Sequence, residues 1–220
     1  MRPFSFLVLA LGAALTVASP AAAASLQTLS DCYQERGDVV AAGSGFAPNS
    51  VVTVSRDGKN LGTAFANTQG RFTARFSTPK LAAGRTQRVY KLVATDGGNS
   101  AIARYHATKV LADFTPGSGN LATLRVRFRV RGFNLVKPRS RVYLHYVRPN
   151  GTLRRTIRLG TARGPCGHIR RTRRRQLFPF DAQRGRWTLQ FDTRKTYRRA
   201  TASSTFVWVR RPVQVFGAGG

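Results

Sequence analysis

The run Leu124-Arg125-Val126-Arg127-Phe128-Arg129-Val130-Arg131 alternates strictly between apolar and guanidinium side chains. In an extended strand that period puts Arg125, Arg127, Arg129 and Arg131 on one face, about 6.5 to 7 Å apart, and Val126, Phe128 and Val130 on the other. Four such cations, joined by Arg139, Arg141, Arg154, Arg155 and Arg158 on neighbouring strands, would hold a positive potential that attracts polyanions. The same pattern also describes a solvated edge strand, guarded by charge against pairing with another chain. A second cluster, Arg170, Arg171, Arg173, Arg174 and Arg175, follows Gly164-Pro165-Cys166-Gly167-His168-Ile169 in what reads as a loop. Charge of that density either stays solvated or wraps a phosphate-bearing polymer, with an affinity that falls as salt rises because counterions are released on binding.

Other chemistry finds little support. Gly167 alone separates Cys166 from His168, too close for the pair to fold together as nucleophile and base. After Pro116 the only carboxylates are Asp181 and Asp192, a thin supply for general acid and base work. Cys32, Cys166 and His168 would make three metal ligands at most and lack the C-x-x-C or H-x-x-x-H spacing of a metal site. P-loop and dinucleotide fingerprints are absent, because the glycines follow turn spacing. The chain is therefore expected to be no enzyme and to carry no metal and no cofactor. His106 and His145 sit in strand-like runs and read as satisfied strand residues.

The elements that must position these groups are strands. From Val39 onward short apolar runs alternate with turn signals: Val51 to Val54, Asp57-Gly58, Leu61 to Ala66, Gln69-Gly70, Phe72 to Phe76, then Arg88 to Thr95, Asp96 to Asn99 and Ala101 to Thr108. Turns spaced by about 8 to 12 residues mark an all-β sandwich or barrel. Only Ser25 to Glu35 leaves room for a helical turn. Trp187, Leu189 and Phe191 share one face of a period-2 run, as do Phe206 and Trp208, so most aromatics are expected in a core rather than as stacking platforms.

Asp113 to Asn120 is rich in Pro, Gly and Ser and is the best linker. It divides the chain into residues 25–115 and 116–220. The first part carries 11 basic and 6 acidic side chains, the second 25 and 2, so most of the net charge of +29 belongs to the second. The halves also echo one another. Gly45-Phe46, Ser50 to Val54 and Asp57-Gly58 match Gly132-Phe133, Ser140 to Leu144 and Asn150-Gly151, and Leu61-Gly62-Thr63-Ala64 matches Leu159-Gly160-Thr161-Ala162. Such a repeat suggests two related β-domains in tandem.

At these residues the sequence resembles the tandem immunoglobulin-like sandwiches of exported bacterial proteins, similar to the IPT/TIG type. The signature is Gly-x-Gly-Phe-x-Pro-x-Ser at Gly43 to Ser50, followed by Gly70-Arg71-Phe72. The second repeat lacks the Pro after Gly-Phe and carries the Arg-rich stretch around Gly164 to Arg175, which leaves its topology open. The resemblance implies two immunoglobulin-like β-sandwiches that act as a spacer or adhesion-type binding module, with no catalytic residues to carry over.

Arg2, the apolar run Phe4 to Val17 and the small residues up to Ala24 have the order of a cleavable secretory signal over residues 1–24. The run is shorter than the roughly 18 to 20 residues that cross a bilayer, so no integral membrane span is expected. In an exported chain two cysteines read as a Cys32–Cys166 disulfide, with two free thiols or pairing to another chain as alternatives. The expectation is a secreted or cell-wall-associated module whose Arg-rich second domain docks to an anionic cell-wall polymer, an anionic lipid surface or extracellular nucleic acid. The alternative is a passive structural or protein-recognition module whose charge serves solubility.

Overall fold

Residues 23–170 and 172–216 are described by the computed structural model. Residues 1–22 of the expected signal segment, and Arg171, lie outside the described residues.

Period-2 burial builds the first sandwich. β1 (Ser25–Thr28), β3 (Asp38–Ser44) and β6 (Phe72–Ser77) form an antiparallel sheet in the order β1-β3-β6. Against it lies a five-stranded sheet of β2 (Cys32–Gln34), β4 (Val51–Arg56), β5 (Lys59–Phe65), β7 (Gln87–Thr95) and β8 (Ser100–Thr108), ordered β2-β8-β7-β4-β5, with β2 parallel to β8. Val39, Ala41, Val52, Leu92, Ala94 and Tyr105 are buried between the layers. Ser25 to Glu35 forms strands, not a helical turn. Leu26 is drawn into the core opposite Gly43, and a pair of short strands satisfies that geometry on both sheets.

The second sandwich repeats the plan. β9 (Leu111–Thr115), β10 (Arg125–Arg131) and β13 (Arg175–Gln176) form a sheet in the order β13-β10-β9. β11 (Arg141–Val147), β12 (Leu153–Thr161), β14 (Gly185–Asp192) and β15 (Trp208–Val215) form the other, ordered β12-β11-β14-β15. Between them sit Phe128, Leu144, Tyr146, Phe178, Trp187, Leu189 and Phe191, which places the Trp187–Leu189–Phe191 row in the core. Phe206 and Trp208, expected there too, stay half-buried on the other face, where Arg194 and Arg210 stack on them at 5.3 and 5.4 Å, because Val207 and Val209 turn inward in their place.

Asp113 to Thr115, expected as linker, belongs to this second sandwich. β9 pairs with β10 from Leu111↔Arg131 to Thr115↔Arg127, and the ring of Phe114 lies 6.1 Å from that of Phe128. Buried Ala112 shows the strand period that the following Pro and Gly signals masked. The buried clusters of the two sandwiches are disjoint, one ending at Ala107 and the other beginning with Val110 and Ala112.

Labelling the strands of each sandwich A to G gives A-B-E against A′-G-F-C-C′ in the first and A-B-E against C′-C-F-G in the second. That is the Greek-key strand order of immunoglobulin-like sandwiches, and it holds for both repeats. Two backbone contacts recur in both repeats: Phe46 N–H donates to Gly70 O as Phe133 N–H donates to Gly167 O, and Ala66 N–H to Ser50 O as Ala162 N–H to Ser140 O. Gly45 and Gly132 turn into the buried phenylalanine at φ 78° and 79°. The Leu-Gly-Thr-Ala echo does not superpose. Ala66, not Ala64, is the counterpart of Ala162, so that match is two residues out of register.

Cys32 of β2 and Cys166 form a disulfide across 134 residues, with a Cα–Cα distance of 5.1 Å, and it ties the first sandwich to the second.

Candidate functional site

The contact between Gly167 and Phe133 has a consequence for the arginines. If Gly167 is the counterpart of Gly70, the segment from His168 onward is the counterpart of Arg71 and β6, which makes it the third strand of the β10 sheet rather than a free loop. Ile169 bridges Val130, Thr172 pairs with Phe128, and Arg175 and Gln176 pair with Val126 and Arg125. Ile169, Thr172 and Arg175 meet β10 at every third residue instead of every second. An extended strand cannot keep its hydrogen bonds continuous at that spacing, so β13 retains only two residues.

The result brings the two sequence-predicted arginine groups side by side. Arg125, Arg127 and Arg129 are exposed on the outer face of β10, while Val126, Phe128 and Val130 are buried beneath them. Arg127, Arg129 and Arg174 line one cleft of about 450 Å³ together with Thr115 and Pro116. A carboxylate of Asp113 reaches Arg129 at 3.6 Å, both half-exposed, which leaves the guanidinium open to water. Arg173 is exposed on the same segment.

Arg131, Arg170 and Arg175 depart from the expected row. Arg131 is half-buried, and with Arg170 it faces His168. Burial and these two cations hold the His168 imidazolium below its ordinary range. Arg175 stands opposite Val126 and so belongs to the inward face, close to Tyr146, whose phenol is pushed up by burial despite Arg175 and Arg155.

Arg141, Arg154, Arg155 and Arg158 do not join the row either. They lie on β11 and β12, in the opposite layer, because β10 has β9 and the 169–176 segment as its neighbours. Arg139 precedes β11 in a turn at φ 53°. Arg154 stacks on Phe180 at 5.2 Å, and Arg155 donates to Pro179 O at 3.0 Å.

Cys166 is oxidised, so it offers no thiolate beside His168. Among the described residues no group of three His, Cys, Asp or Glu side chains could hold a metal ion.

A buried polar cluster, which sequence reading saw only as a satisfied strand histidine, fixes the segment between β14 and β15. His145 Nε2 faces Asp192 Oδ1 and Arg194 O, each at 3.1 Å, and therefore carries the proton. Gln190 donates to Asp192 Oδ2 and to Arg198 O, both at 2.7 Å, and accepts from Ala200 N–H at 3.1 Å. His145, Gln190 and Asp192 are all fully buried. Their alternation along β14, with Asp192 two residues after Gln190, is the one signal by which the sequence showed them.

No family model matches the chain, and no curated protein matches it. Solved structures align along most of its length. A tetra-tandem repeat from the extending region of a large adhesion protein aligns at 11% identity and a TM-score of 0.29, covering 87% of this chain and 48% of that one. Bovine butyrophilin aligns at 8% identity and a TM-score of 0.31, over 88% and 100%. Trypsin-activated alpha-2-macroglobulin from Escherichia coli aligns at 13% identity and a TM-score of 0.30, over 89% and 16%. This chain thus spans about half of the adhesion fragment and a small part of the macroglobulin.

Proposed function

We propose that the chain is an exported, non-enzymatic binding module whose second sandwich docks to an anionic polymer or surface through the outer face of β10 and the neighbouring arginine segment. The observation that carries this reading is the shared cleft: Arg127 and Arg129 on one strand, Arg174 on the segment beside it, with a row extended by Arg125 and Arg173. Guanidinium groups offer paired N–H donors that match phosphate and carboxylate oxygens. A row of cations suits a repeating array of anionic groups, and the candidates in an exported setting are an anionic cell-wall polymer, an anionic lipid surface and extracellular nucleic acid. The disulfide and the cluster of small residues ending at Ala24 support export.

Retention of the oxidised chain on each of these three materials across a salt series tests the reading. Binding at low salt, released by about 0.5 M salt, is expected for a phosphate-contacting face. Retention on none of them would overturn it.

One observation favours a second reading, recognition of another protein by the first sandwich. Val51 and Phe65 stand opposite one another at the β5 edge and are 49% and 76% exposed.

A further inference from the structure

A second cluster of guanidinium groups lies away from β10, at the end of β11 and β12 that faces the disulfide. Arg139, Arg141, Arg158 and Arg163 line one cleft of about 770 Å³, together with Asn134 and with Asp31 of the first sandwich. None of the four has a carboxylate within ion-pair distance among the described residues.

The backbone beneath them is fixed from several sides. Asn134 Nδ2 donates to Gly164 O at 2.9 Å, its Oδ1 accepts from Ser140 N–H at 3.0 Å, and its own N–H donates to Cys166 O at 3.2 Å. One side chain thereby clasps the turn that carries Arg139 to the loop that carries Arg163. Gly167 packs so close to Asn134 that a Cβ there would stand 2.4 Å from its nitrogen. The disulfide at Cys166 anchors the same loop. A site held this way loses little conformational freedom when a ligand arrives.

The first sandwich supplies an internal control. The backbone contacts that equate Ser50 with Ser140 and Ala66 with Ala162 also equate Val51 with Arg141 and Asn67 with Arg163. The segment joining the buried phenylalanine to that serine is longer in the second repeat, and its last residue, Arg139, falls at the place of Asn49, the two at φ 53° and 56°. The same scaffold therefore stands without any of these arginines, and the fold does not require them.

We propose that this cleft binds a compact, multiply charged phosphate group of the size of a di- or triphosphate. Four forked donors exceed what a single carboxylate can accept, and like charges this close repel one another until an anion lies between them. The group could be a free oligophosphate or part of a phosphate-bearing polymer. The site is independent of the β10 cleft, because it lies in the other layer of the sandwich.

The test is calorimetric titration of the oxidised chain with inorganic tripolyphosphate and, in a second arm, with a poly(glycerol phosphate) chain. Three variants are compared: Arg139→Gln with Arg163→Gln, Arg127→Gln with Arg129→Gln and Arg174→Gln, and Lys195→Gln with Arg199→Gln as a charge control on exposed positions. The expected result is tripolyphosphate binding that weakens about tenfold or more in the first variant, as loss of charge-assisted bonds predicts, and stays within about twofold in the other two. Polymer binding that weakens in the first variant well beyond the charge control, and is the tighter of the two, identifies the polymer as the source; tighter tripolyphosphate identifies the free anion. Absence of binding in both arms, or equal losses in the first and the control variants, overturns the proposal whether or not the β10 face retains polymer.

Discussion

Thr172 and Phe128 are joined twice: Thr172 N–H donates to Phe128 O at 3.1 Å, and Thr172 Oγ1 accepts from Phe128 N–H at 3.1 Å. This clip stands where regular pairing lapses, and it holds the arginine-rich segment against the arginine-bearing strand. Thr172→Val keeps the volume and removes the acceptor, leaving the Phe128 amide buried without a partner. A loss of about 1 to 3 kcal/mol is expected. Amide exchange at Phe128, faster in the variant than at Val126, locates the effect, and weaker polymer retention at equal net charge shows that the clip organises the cleft.

The disulfide closes a loop of 134 residues between two separate cores. Replacing both Cys32 and Cys166 by Ala is expected to lower stability by about 2 to 4 kcal/mol through greater freedom of the unfolded chain. Urea unfolding of the variant beside the oxidised parent gives the number. A second, lower transition in the variant alone would show that the sandwiches unfold together only when tied.

His168 makes stability depend on pH. Its folded pKa lies below the ordinary value of 6.5, because burial and then Arg131 and Arg170 disfavour the cation. The unfolded chain therefore takes up this proton at higher pH than the folded one. The contribution is complete above the ordinary value and is lost as the pH falls through it toward the depressed one. Between pH 7.5 and 5.5 the parent is expected to lose more stability than His168→Asn, read as the shift of the urea midpoint.

Asp192 has both oxygens occupied in a fully buried site, accepting from His145, Gln190 and the Arg194 amide. Asp192→Ala leaves the buried Arg194 amide without its acceptor and takes one of two acceptors each from His145 and Gln190, and a loss of at least about 1 to 3 kcal/mol is expected. Asp192→Asn keeps one acceptor and should fall between the two. Proteolytic cleavage within residues 193–206 before global unfolding marks the local release of that segment.

Much of the architecture was legible because period 2 and turn chemistry are local. Val51 to Val54, Phe72 to Phe76 and Leu124 to Arg131 announce strands, with their buried and exposed faces, in a few residues each. Three things were not local. The 169–176 segment hides its strand because Ile169, Thr172 and Arg175 face β10 at a spacing of three, and only the repeat's shared Phe133–Gly167 contact reveals it. Leu111 to Thr115 lost its strand signal to the Pro and Gly that follow. Which arginines share a face depends on sheet order: Arg141 and Arg158 follow the same alternation as Arg127 yet lie in the other layer.

If Arg127, Arg129 and Arg174 together contact an anionic polymer, the salt dependence of its binding constant records all three contacts, compared between the parent and the triple Arg→Gln variant at those positions with the polymer that the parent retains best. Each phosphate contact contributes about 0.7 to 0.9 to the slope of log K against log salt, so a loss of about 2 to 3 in slope is predicted, with weaker binding throughout. An unchanged slope and affinity in the triple variant would leave the β10 arginines without a role in docking.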